Sequence, residues 1–219
     1  MAIQTQGFSG VVDEVDGTTF RARRITVRPV DYGAFGHYRL ATTVTLVVTQ
    51  AANGTLFSFR WADATRLAAI LFLRLKLLQT AAATATIMPS YQAFIARAFT
   101  ASDTGGTAIT LTGNNMKKRT NMGTTLVTDI RKSTVAAGLT VGTRTLDADS
   151  ILELPTNSTI TTPNATLYQD QLDMTNSGDH PIILAQNEGI IVRGPTIVFG
   201  AAGTANLAVD MAWAELTSF

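Results

Sequence analysis

At 219 residues and 23.3 kDa the chain can hold one β-sandwich or two small domains. Charged residues are only 15% of it and the formal net charge is +1, so binding of nucleic acid through bulk charge is disfavoured. Cysteine is absent, which excludes disulfides, thiolate nucleophiles and cysteine-based zinc sites.

Residues 1–10 read as an N-terminal arm or an edge segment, without a basic region or an apolar signal core. Val11, Val12 and Val15 begin a strand that ends at the turn signal Asp16-Gly17. From Phe20 to Pro29 the pattern alternates, and Arg21, Arg23, Arg24 and Arg28 make the densest basic cluster in the chain. Such charges suit an edge strand that discourages unwanted pairing, then a contact with an acidic partner, and last a contact with nucleic acid. Asp31 to Tyr38 reads as a loop whose Tyr32, Phe35, His37 and Tyr38 form the one aromatic cluster able to meet a partner or a sugar.

Leu40 to Thr49 is an expected strand with Val44, Leu46 and Val48 inward or nearly so. Asn53-Gly54 is the strongest hairpin signal, with Leu56 to Trp61 expected to pair back. Leu71, Leu73, Leu75 and Leu77 alternate against Phe72, Arg74 and Lys76, which favours a strand over at least Ile70 to Leu78. The two charges and the short length argue against a membrane span there. Tyr91 to Thr100 alternates again, with Ala93, Ile95, Arg97 and Phe99 on one face, followed by a turn at Asp103 to Gly106. Leu126 to Ile130 is a short strand, and residues 132–166 read as an irregular crossing. Ile182 to Ala185, Ile190 to Arg193 and Asn206 to Trp213 close the chain, the last with Leu207, Val209, Met211 and Trp213 on one face.

Many strands, frequent turns, one long crossing and no amphipathic helix predict an all-β, antiparallel β-sandwich. A jelly-roll-like form is expected, with long connecting loops, the arm at 1–10 and a single domain over 11–219. The charge deficit is filled by 35 Thr and 30 Ala, a weakly polar surface that is cheap to desolvate against a neighbour. An assembly role is therefore expected.

Catalytic signals are missing. His37 and His180 are the only histidines, and their spacing has no ligand form, so no metal and no cofactor are expected. The carboxylates are scattered, and neither a phosphate-binding Gly-Lys-Ser/Thr loop nor a Gly-x-Ser-x-Gly elbow occurs. The chain reads as a non-enzyme.

Phe94 to Asn115, Gly142 to Asp147, Leu184 to Gly189 and Trp213-Ala214-Glu215 resemble uncharacterised virion structural proteins of tailed bacteriophages. The resemblance runs intermittently from about residue 60 to residue 216. It implies a component of the phage particle, assembled in the host cytoplasm, and no catalytic residues. On it we expect a head decoration or cement protein, a homo-trimer or homo-dimer whose partners are the major capsid protein or other virion proteins. A tail, collar or fibre component with a host- or carbohydrate-binding role is the alternative; the major capsid protein itself and an enzyme rank below both.

Overall fold

The computed structural model describes residues 4–6, 12–14, 36–84, 86–157, 167–174, 180–196 and 203–217. The chain divides into two compact units, Met1–Asp31 and Tyr32–Phe219. In the first, β1 (Gln4–Gln6) pairs antiparallel with β2 (Val12–Glu14). Within the residues read as an arm or an edge segment, Gln4–Gln6 is thus a paired strand. The basic cluster Arg21, Arg23, Arg24 and Arg28 lies outside the described residues.

The strands of the second unit are, in chain order, β3 (His37–Leu46), β4 (Thr55–Trp61), β5 (Leu67–Ala81), β6 (Ser90–Ala101), β7 (Thr107–Ala108), β8 (Asp129–Lys132), β9 (Thr143–Leu146), β10 (Leu152–Pro155), β11 (Leu167–Asp173), β12 (Ile182–Leu184), β13 (Glu188–Arg193) and β14 (Thr204–Leu216). They form two antiparallel sheets. The first has the order β11-β5-β14-β3, with β12 also on β5; the second has the order β10-β6-β13-β4-β8-β7, with β9 also on β6. Neither sheet closes into a barrel among the described residues.

One hydrophobic core lies between the sheets. On β14 the period-two row Leu207, Val209, Met211 and Trp213 points inward, as do Leu73, Leu75 and Leu77 on β5. Phe57, Phe59 and Trp61 on β4, Ile190 and Val192 on β13, and Tyr91 and Ala93 on β6 meet them from the second sheet. Each large apolar side chain so buried contributes about 1.5–3 kcal/mol.

A β-bulge adjusts the first sheet. Ala212 faces Phe72 but Trp213 faces Ile70, so Leu71 is an extra residue on β5. Ile70 and Leu73 therefore both point inward, while Leu71 joins Ala69, Ala214 and Leu216 in a separate cluster. In the second sheet the pairing of β6 with β9 shifts between Arg97 and Ala101, and Ala98 takes a φ of 48°. That irregularity corrects the expected single face of Ala93, Ile95, Arg97 and Phe99. Ala93 belongs to the main core, whereas Phe99 packs with Ala96 and Ile191 in another cluster.

Two turns differ from their sequence reading. Asn53 is left-handed, with a φ of 56°, as its Asn-Gly signal requires. Yet β3 and β4 belong to different sheets, and β4 pairs with β13 and β8. The turn redirects the chain across the core instead of closing a hairpin, because Ala51 and Gln50 are held by the carbonyl of Ala136. Likewise β13 and β14, consecutive in the chain, lie in opposite sheets. Val48 is 40% exposed in a turn rather than inward. The expected irregular crossing contains β9 and β10, both paired with β6.

A buried ion pair ties the second sheet to the loop before β9. Asp103 accepts hydrogen bonds from Gly142 N (2.8 Å) and from Arg144 Nε and Nη2 (3.1 Å each). Arg144 also donates to Thr55 Oγ1 at 2.9 Å and lies over the Phe99 ring. The two side chains are 0% and 3% exposed. Removing one partner from such a pair strands a buried charge. Asp103→Asn should therefore lower unfolding stability by about 3–5 kcal/mol in urea titration; a loss under about 1 kcal/mol would refute the role assigned to the pair.

Candidate functional site

The outward face of the first sheet carries the most distinctive chemistry among the described residues. Opposite the inward row of β14 stand Asn206, Ala208, Asp210 and Ala212. Asp210 sits in register between Ala41 of β3 and Arg74 of β5. Its Oδ2 is 2.6 Å from Arg74 Nη2 and 2.7 Å from Lys76 Nζ. Burial alone would raise this carboxyl; the hydrogen bonds from Lys76 and Arg74, with their charges, outweigh burial and hold it below the ordinary carboxylate range.

A loop walls this face at one end. Arg39 N donates to Met116 O at 2.7 Å, and Lys118 N donates to His37 O at 3.0 Å. Tyr38 and Lys117 form an antiparallel bridge, so the loop continues the sheet beyond β3. Met116 adopts a φ of 66°, a conformation rare for a long side chain, and packs against the core. Between this loop, β3, β5 and β14 lies a cavity of about 630 Å3. Its floor includes Leu71, Phe72 and Ala212; its charged lining is Arg39, Arg74, Lys117, Lys118 and the single carboxylate Asp210. Partial burial and the charge of Arg39 lower the proton affinity of Lys118.

His37 and Tyr38 stand at the start of β3, not in a loop. His37 is held neutral, its pKa lowered to about 4 by burial and then by Lys118 and Arg119. Its Nε2 is buried without a hydrogen-bond partner. Tyr38 is 0% exposed, stacks on Trp213 with centroids 5.6 Å apart, and donates to Gly123 O at 3.1 Å. Its ring is a core element with no free face for a sugar. Tyr32 and Phe35 lie outside the described residues. The cavity cations were not singled out by sequence reading, because they come from three separate segments; only their charge was visible.

The outward face of the second sheet carries the opposite balance. A cavity of about 490 Å3 is lined by Asp147, Asp149 and Glu153, with Arg193 the one cation. Arg193 lies 4.8 Å from the Phe94 ring centroid, and Arg97 bridges Asp147 and Glu188. Among the described residues no group of three or more His, Asp or Glu is placed to hold a metal ion.

At the end of β14, Glu215 is buried, and its Oε1 accepts from Thr125 Oγ1 (2.5 Å) and Leu126 N (2.9 Å). Burial raises its carboxyl above the usual range. Those two donors oppose the rise, as do Arg66 and the Trp213 indole, which lies close without a well-aligned hydrogen bond. No protein-family model matches the chain, and no curated protein matches it.

The two β14 carboxylates have opposite linkage to pH. Asp210 is depressed, so its contribution is present above the unfolded-state pKa and is lost as pH falls through the lower folded value. Asp210→Asn should cost about 1–2 kcal/mol at pH 7, and the difference should vanish in acid. Glu215 is raised, so its contribution is full below the unfolded-state pKa and is lost as pH rises through the folded value. Glu215→Gln should therefore gain on the wild type as pH climbs from 3 to 7. Urea midpoints across that range check both signs, and parallel curves for either variant would refute the corresponding assignment.

Proposed function

We propose that the chain is a structural protein of a tailed-phage particle, first of all a head decoration or cement protein, and not an enzyme. The observation that carries the reading is the strand pairing of the second unit. Take β3, β4, β5, β6, β10, β11, β13 and β14 in chain order. The first pairs with the last, the second with the seventh, the third with the sixth, and the fourth with the fifth. In each sheet the latest strand of these eight lies between the two earliest, giving β3-β14-β5-β11 and β4-β13-β6-β10. This order matches a long hairpin rolled into two sheets and supports the jelly-roll-like reading, an arrangement that recurs in viral capsid and lectin domains.

Fold order alone supports a class by analogy. The sequence resemblance and the weakly charged Thr- and Ala-rich surface add to it. A passive cement role asks only for buried area. An interface of ordinary size, about 1,600 Å2 in total, suffices without any single strong contact. Many weak contacts across a lattice reinforce one another. In this reading the protein assembles with major capsid subunits as a homo-trimer or homo-dimer. The tail or fibre alternative draws no support from Tyr38, whose ring is consumed by the core.

Quantitative mass spectrometry of purified virions encoding this chain, scaled to the major capsid protein, tests the reading. Hundreds of copies per particle are expected. About a dozen copies would place the protein in the tail or at a vertex and overturn the cement role; none would overturn the virion role.

A further inference from the structure

We propose that the cavity on the outward face of the first sheet is a binding site for a phosphate-class oxyanion. The inference concerns the isolated chain and does not depend on its place in a particle. Four cationic side chains line the cavity, against one carboxylate. That carboxylate is already matched by two cations, Arg74 at 2.6 Å and Lys76 at 2.7 Å. Arg39, Lys117 and Lys118 are thus left facing the cavity with no carboxylate among its lining residues to meet them.

Their placement is built into the backbone. The Arg39 N–H is fixed on Met116 O and the Lys118 N–H on His37 O, so the loop that carries the two lysines is anchored to β3 at the edge of the cavity. Lys117 Nζ lies 3.4 Å from Asn114 Oδ1, a neutral acceptor that directs the ammonium without neutralising it. Holding like charges together costs free energy, and the neighbouring Arg39 charge is already felt at Lys118. An anion with several oxygens relieves that repulsion.

Arginine forks suit a tetrahedral oxyanion, and lysines add point charge. The apolar floor of Leu71, Phe72 and Ala212 displaces water from one side and strengthens each charge contact. Asp210 faces the same space and weakens binding, which supplies a variant with a gain in place of a loss. The phosphate can come free or as part of a polynucleotide backbone, where counterion release adds salt dependence.

The test follows intrinsic fluorescence during thermal unfolding, since Trp61 and Trp213 are both 0% exposed. Inorganic phosphate is titrated at constant ionic strength set with chloride. We expect a saturable rise in Tm of about 3 °C or more. The double variant Arg39→Gln/Lys118→Gln should lose the rise while its melting temperature in chloride stays at or above that of the wild type, because both side chains are exposed and their mutual repulsion is removed. Asp210→Asn should reach half its rise at a lower phosphate concentration than the wild type. No rise over chloride, or an equal rise in the double variant, overturns the site. Fluorescence anisotropy with a 20-nucleotide single strand separates the sources. Binding that phosphate competes away and the double variant lacks assigns a polynucleotide phosphate; absence of strand binding alongside the thermal shift assigns free phosphate.

Discussion

The stacking of Trp213 on Tyr38 joins the end of the second unit to its beginning. The two rings lie 5.6 Å apart on paired positions of β14 and β3, and the indole meets Phe59 of the opposite sheet edge-on at 5.3 Å. One side chain thus couples neighbouring strands and both sheets. The Tyr38 ring also lies against Gly36, where an added Cβ would fall 2.0 Å from Tyr38 Oη. At a φ of 152° that position also suits only a residue without a side chain. Because β14 lies between β3 and β5, the first sheet cannot close until the last strand has been made. Loop-closure entropy must be overcome before those contacts form, which is the mark of a slow, non-local β topology.

The same constraint explains what the sequence made visible. Period-two rows on β14 and β5 report burial directly, so Leu207 to Trp213 and Leu73 to Leu77 could be placed on the core face from spacing alone. Turn chemistry was equally legible in position: Asn53 does take the left-handed conformation that Asn-Gly announces. Pairing was not legible. A turn signal records the local dihedral angles and says nothing about which sheet receives the next strand. Bulges were hidden for a related reason. Nothing in Ile70-Leu71-Phe72 marks Leu71 as the extra residue, since all three are apolar and the choice is made by register with β14.

The charged residues repeat this lesson. Local density drew attention to Arg21, Arg23, Arg24 and Arg28, whereas the described cations that converge in space are scattered at 39, 74 and 117–118. The low charge content sharpens the contrast. Asp103 and Arg144 neutralise each other in the interior, Arg97 is shared between Asp147 and Glu188, and Arg74 and Lys76 share Asp210.

Once those pairs are drawn, the surface separates into unlike faces. Among the described residues, the lining of the cavity on the first sheet leaves Arg39, Lys117 and Lys118 without a carboxylate of their own, while that on the second has Asp149 and Glu153 beside a single Arg193. In a densely charged protein such differences would be blurred by neighbouring side chains of either sign. Here the remaining lining residues of both cavities are apolar or neutral polar side chains, such as Leu71, Phe72 and Asn115 in the first and Gln92, Phe94 and Ser150 in the second, and carry no formal charge to oppose the local field. Screening by salt acts over about 8 Å at physiological ionic strength, so an open cavity loses distant contributions but keeps those of its own lining. A low content of charged residues therefore leaves the net sign of each cavity, among the described residues, to the few charged side chains that line it.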